Sequence, residues 1–422
     1  MTIQEQNQFL TQRRWRVLAA CCITNLCLGA PYAWSVFAGP LAEHLNALHG
    51  TAMTASDLAL AFSFSSSLTF ITMIAGGYLE KKIGARRIIF AGVILFGIGF
   101  LVCGMARSVL AVIFGFGVIG GLANGLGYVC TVSTAVKFFP DKKGLIGGIS
   151  TASYGISSVI IPPIADALNR SVGISRAFTI FGIAIIGIGG LCSLFILNCP
   201  DDYTPTGWNG GSSGAAGTSR DMTALQMLAS PIFYVMLAMM FIGATIGLMM
   251  ISETAAIAQT MLGMSSSAAA LIVSTYALFN TGSRIVVGWI SDKIGRIRTI
   301  TYVLVLMVLS LLAIYLSGLN GNTFLFRAGI CLIGFSYGSF MGIYPAFTSD
   351  QFGVKYSALN YGILFIGFSL AGVVGPLIMQ KIFSEFASYR PSFPIAIVFA
   401  LIGIALTFLY RAVNRKLAQK SA

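Results

Sequence analysis

The chain has 422 residues, 56% hydrophobic and only 9% charged, with a mean hydropathy of +0.86. Soluble domains carry about 25% charged residues, so a soluble globular fold is excluded and the chain is read as an integral membrane protein. Its net charge of +13 would suit a nucleic-acid partner, a reading that the placement of the charges removes.

A span needs about 20 mostly apolar residues, because its backbone polar groups must be satisfied within the helix. Twelve stretches qualify, with approximate limits 15–37, 57–79, 88–106, 109–136, 144–166, 177–198, 231–254, 267–291, 299–318, 323–348, 357–379 and 391–411. The first follows "RRWR" but continues through "GAPYAWSVFAGPL" without a small-x-small cleavage site, so it is a span and not a signal peptide. In the fourth, Gly117, Gly121 and Gly125 recur every four residues, a smooth stripe for helix contact. After the sixth comes "DDYTPTGWNGGSSGAAGTSRD", a flexible cytoplasmic linker. It divides an N-terminal six-helix bundle (1–198) from a C-terminal one (227–422), the linker itself being 199–226. Spans three, six, nine and twelve carry almost no strongly polar residue and are expected to face lipid.

With both termini in the cytoplasm, nineteen of the 26 Lys and Arg residues fall on the inner side. Only Arg107, Arg170, Arg176, Arg327, Lys381 and Arg390 fall outside, and Arg284 lies within a span. This is the positive-inside pattern of a multi-pass inner (plasma) membrane protein, so the basic balance reports topology and not nucleic acid. The eight cysteines lie in spans or at a cytoplasmic edge, and His44 and His49 share the first outer loop. Neither pattern makes a disulfide framework or a metal site, and no cofactor is expected.

The halves repeat. "GYLEKKIGARR" from Gly77 and "GWISDKIGRIR" from Gly288 stand 211 residues apart, half the chain, and "PP" at 162–163 answers "GP" at 375–376 at nearly the same offset. The second turn resembles the signature loop G-x-L-x-D-[RK]-x-G-[RK] of the major facilitator superfamily, with Gly288, Asp292, Lys293, Gly295 and Arg296 in register. The first copy keeps Gly77 and Gly84 but has Lys81 where the acid belongs, with Glu80 beside it as a substitute. "YAWSVF", "KFFPDKKGL", "ASYGISS", "SDQFG" and "YSALNYG" are similar to the oxalate/formate antiporter branch and the related monocarboxylate transporters. The resemblance implies an all-α fold of two pseudo-symmetric six-helix bundles that rock around a central site.

Arg284 is the chemical anomaly. It precedes Asp292 by eight residues, roughly 12 Å along a helix, which places it near mid-membrane, where an arginine costs about 2.5–3.5 kcal/mol or more. All thirteen acids fall at span ends, in loops or in the linker, so an arginine satisfied by hydroxyls, carbonyls and water competes with one awaiting an anionic substrate. The second reading is preferred, because a guanidinium grips a carboxylate in bidentate fashion. Asn280, one turn earlier, stands where the monocarboxylate transporters often carry an acid implicated in proton coupling; an amide cannot titrate, so it is expected to bind substrate or orient Arg284. By resemblance Tyr32, Tyr128, Tyr154, Tyr337 and Phe365 match pocket positions. The oxalate-transporting relatives carry a lysine in span eleven whose match here is Phe368, and a single cation favours a monocarboxylate over a dianion.

The expected function is therefore a transporter, not an enzyme. It would carry a small organic anion such as lactate or pyruvate as a monomer in membrane lipid, by proton symport or, alternatively, by carboxylate exchange. A membrane sensor is disfavoured by the lack of a sizeable soluble domain, an intramembrane enzyme by the lack of deep catalytic groups, and a channel by the two-fold repeat.

Overall fold

The structure, a computed structural model, describes residues 2–208 and 221–421. Residues 209–220, the centre of the expected flexible linker, lie outside the described residues. Among the described residues, twelve helices are long and apolar enough to cross a membrane, as the sequence predicts. They are α1 Ile3–His49, α2 Ala55–Ile83, α3 Ala85–Gly104, α4 Val109–Lys137, α5 Lys143–Val172, α6 Ile174–Phe195, α7 Pro231–Leu262, α8 Ser266–Ile294, α9 Arg296–Asn320, α10 Thr323–Phe352, α11 Ser357–Phe386 and α12 Ser392–Leu417. No strand occurs among the described residues. The helices overrun the apolar limits because polar ends continue the helix. In α1 the overrun begins at Thr2, which forms a capping box with Glu5.

Three of the helices are discontinuous. In α1 a 3₁₀ turn at Ala30–Ala33 contains Pro31, which has no N–H to donate. The Gly29 carbonyl accepts both the Tyr32 amide at 3.1 Å and the Ser157 hydroxyl at 3.0 Å. α5 breaks at Ile156, between segments Lys143–Gly155 and Ser157–Val172, and α11 breaks at Phe365. In α4 the Gly-rich run Ile113–Gly120 adopts π geometry, a form that collects at functional sites.

Contacts between residues divide the chain into two compact units. The first comprises Met1–Asp141, Ile149–Gly210 and Val354–Ile363; the second comprises Lys142–Gly148, Gly211–Gly353 and Leu364–Ala422. Each unit therefore includes a short segment from the opposite half of the sequence. In the first unit the expected glycine stripe is real: a methyl group at Gly121 would collide with the Ser65 backbone, and one at Gly125 with the Thr69 carbonyl. The second unit repeats the device on α10, where Gly334, Gly338 and Gly342 press against the backbone of Tyr276, Asn280 and Arg284 of α8.

One expectation meets a different outcome. The start of the linker is docked and not free. Tyr203 is buried against Phe138 with its hydroxyl on Thr11 at 3.1 Å, and the Thr206 amide donates to the same Thr11 hydroxyl.

Candidate substrate site and signature turns

Arg284 is held from two sides of the second unit. The glycines of α10 let α8 approach so closely that Arg284 is only 5% exposed. One turn earlier on α8, Asn280 accepts a hydrogen bond on Oδ1 from the Arg284 Nη2 at 2.9 Å. This bond leaves the Asn280 amide as a pure donor, and its Nδ2, buried with the residue at 6% exposure, has no hydrogen-bond acceptor among the described residues. A buried donor without an acceptor costs about 1–3 kcal/mol. Such a cost persists where the missing acceptor arrives as a ligand.

The aromatic candidates of the same unit form a chain. Tyr337 stacks on Phe368 with centroids 6.5 Å apart and planes 8° from parallel, and Phe368 contacts Phe365 at 4.6 Å. Phe365 is itself the residue at which α11 breaks. Phe368, the position matched to the lysine of oxalate carriers, thus lies inside an apolar cluster.

In the first unit Tyr154 is the hub. Its ring meets Tyr32 at 5.5 Å and Tyr128 at 4.8 Å, and its hydroxyl accepts from Asn124 Nδ2 at 3.1 Å. Tyr32 sits in the α1 break and Tyr154 just before the α5 break. Asn124, which the sequence reading did not select, also donates to the Leu28 carbonyl at 3.2 Å. Behind this group Asn25 binds Ser150 and accepts from Thr131, tying α1, α4 and α5 together. Three of the five aromatic candidates therefore occupy or adjoin helix breaks. No cluster of His, Cys, Asp and Glu able to hold a metal occurs among the described residues.

The signature turns are clear. Gly84 (φ 87°) and Gly295 (φ 92°) end α2 and α8 in the same left-handed-side conformation, which a Cβ would strain. At the C-terminal turn, Asp292 accepts the backbone amides of Gly144 and Leu145, each at 2.8 Å, and pairs with Arg296 at 2.7 Å. Arg296 and Lys143 both reach Asp350, at 2.9 Å. Gly288 lies so close to the Gly144 carbonyl that no side chain fits. Lys293 stays outside this network, with its ammonium 3.7 Å from the Trp289 ring centroid.

The N-terminal turn is built differently. Glu80 does not stand in for the missing signature acid; it pairs with Lys137 of α4 at 2.6 Å, both side chains at or below 10% exposure. Gly77 presses on the backbone of Leu359, which the segment Val354–Ile363 brings into this unit. Lys143, Asp350, Lys137 and Asp201 were all missed as site residues. For Lys143, Lys137 and Asp350 the signal was present in "KFFPDKKGL" and "SDQFG".

Twelve long apolar helices among the described residues, three of them broken, define a multi-pass membrane protein. The sequence model of the Major Facilitator Superfamily matches residues 19–376, and the chain belongs to that superfamily. It is 32% identical over 361 residues to the uncharacterized MFS-type transporter YhjX of Escherichia coli (strain K12), covering 85% of this chain and 86% of that one. It is 28% identical to the oxalate:formate antiporter of Oxalobacter formigenes, over 97% and 94% of the two chains. It is 21% identical to monocarboxylate transporter 12-B of Danio rerio, over 95% and 87%. Among solved structures it is similar in fold to the human organic anion transporter MFSD10, with a TM-score of 0.71 at 12% identity and coverage of 93% and 99%.

Proposed function

We propose that this protein is a secondary active transporter of small monocarboxylates, with Arg284 as the anion anchor. The observation that carries the proposal is the Arg284–Asn280 pair: a buried guanidinium whose amide neighbour spends its acceptor on it and leaves an unmatched donor. A carboxylate is the complementary group, since it offers about four acceptor lone pairs and a charge. Tyr337 and Phe365 in the second unit, and Tyr32, Tyr128 and Tyr154 in the first, are proposed as further substrate contacts. Their apolar bodies suit a short organic acid. Phe368 in place of a second cation supports a monoanion over a dianion, whose second charge would stay unpaired.

Coupling to protons is the preferred mode, with both termini in the cytoplasm of a plasma-membrane monomer. Exchange of one carboxylate for another is the second reading, and a specific observation favours it. Glu253 of α7 is already engaged, accepting the Tyr389 hydroxyl at 2.9 Å, and the relative from Oxalobacter formigenes is named an antiporter. The test is uptake of labelled lactate into proteoliposomes containing only buffer, with an acidic exterior. Accumulation supports symport; uptake only after preloading with carboxylate supports exchange. In either mode Arg284→Gln is expected to weaken saturable binding about 100-fold or more, the scale of two charge-assisted hydrogen bonds. Unchanged affinity in the folded variant refutes the anchor role.

A further inference from the structure

We propose that Asp201, at the start of the linker, supplies the carboxylate missing from the N-terminal signature turn and positions the start of α11 on the first unit. Lys81 occupies the signature acid's place, and its Nζ donates to both carboxylate oxygens of Asp201 at 2.8 Å. The same carboxylate lies 3.7 Å from the ammonium of Lys355. Lys355 belongs to Val354–Ile363, the stretch from the second half of the sequence that is packed into the first unit. Asp201 therefore bridges α2 to that stretch. Lys81 adds a second hold, its ammonium 5.4 Å from the Tyr356 ring centroid.

The linker is fixed so that Asp201 reaches this place. Asn198 lies against Gly84, where a Cβ would strike its side chain, and its Oδ1 accepts the Arg86 amide. Two residues after Asp201, Tyr203 is buried on Phe138 and Thr11, and Asn7 donates to Thr204. Anchors on both sides restrict the carboxylate to the vicinity of Lys81. On the stretch itself, Ser357 exchanges a hydrogen bond with Ser133 at 2.8 Å, and Gly77 and Gly362 give close backbone contact with α2. α11 passes from the first unit to the second at residue 364. When the halves of such a transporter rock, the grip on 354–363 must loosen or the helix must bend, and the linker acid sets the strength of that grip. The inference rests on alternating access and not on which anion is carried.

The test is hydrogen–deuterium exchange, resolved by peptide, on the full chain in membrane mimetic without substrate. Asp201→Asn is expected to speed exchange in 354–363 about two- to five-fold, the scale of an exposed ion pair. That peptide is distant in sequence from the substitution. The double variant Lys81→Asp with Asp201→Lys is expected to bring the rate back toward that of the parent. A linker that merely braces itself would loosen 199–206 alone. Unchanged exchange in 354–363 for Asp201→Asn, or a charge swap no slower than Asp201→Lys alone, overturns the proposal. Failure of the carboxylate reading would leave both readouts untouched.

Discussion

The two signature turns share a backbone and differ in how they are charged. Gly84 and Gly295 adopt nearly the same φ and ψ, and both turns hold a segment that comes from the other half of the sequence. At the C-terminal turn one carboxylate, Asp292, caps two amides and binds Arg296, and Asp350 closes the network through Arg296 and Lys143. At the N-terminal turn that work is split. Glu80 turns inward to a buried lysine, and the outer role falls to Asp201 from the linker. A duplicated fold thus conserves its backbone geometry more strictly than the address of its charges, because only the geometry is fixed by a left-handed glycine.

The sharpest way to break the comparison is at the buried pair. Glu80→Gln leaves Lys137 charged and enclosed, which costs about 3–5 kcal/mol when one member of a buried pair is removed. A clear drop in the thermal unfolding midpoint of the purified protein is expected. The double variant Glu80→Gln with Lys137→Gln should recover most of the loss, since replacing both charges is often close to neutral. Equal losses in the single and double variants would show that shape and not charge is what the pair provides.

Asp292→Asn comes next. The amide keeps one acceptor oxygen, so one of the two amide bonds from Gly144 and Leu145 weakens, and Arg296 keeps Asp350. Charge-assisted hydrogen bonds contribute about 1.5–3 kcal/mol each, and the expected loss is about 2 kcal/mol. It should appear as faster hydrogen exchange at the start of α5, with α11 unaffected. An equal response at both helices would mean that the turns act as one network and not as two.

The fold was legible because membrane burial leaves a strong mark: twelve apolar runs became twelve helices, and the glycine stripe in span four became a close contact with α2. Arg284 and Asn280 were legible through the cost of a charge at mid-span, and the structure joins them in one hydrogen bond. Asn124 was not legible, because an asparagine beside glycines gives no sign that a broken helix will expose the Leu28 carbonyl to it. Asp201 was hidden for a different reason. A Gly/Ser-rich stretch reads as uniformly loose, whereas a single buried tyrosine two residues on, Tyr203, is enough to seat its first part. Burial likewise pushes the pKa of the Cys199 thiol up to about 12.

The smallest expected effect asks whether the two turns can be made alike. Lys81→Asp with Asp201→Asn returns the acid to the signature position and removes it from the linker. In the C-terminal turn the equivalent acid, Asp292, caps the first amides of α5; a carboxylate at 81 would lie beside the first turn of α11, where a negative charge favours the helix dipole. Caps and dipole contacts are worth about 0.3–1 kcal/mol at partly exposed ends, and the exposed Asp201 pair contributes a similar amount. The two changes should nearly cancel. Exchange in 354–363 is then expected within about two-fold of the parent and slower than in Asp201→Asn alone. Exchange as fast as in Asp201→Asn would mean that the N-terminal turn has lost the geometry needed to use its own acid, and that its dependence on the linker is fixed in the backbone and not only in the charge.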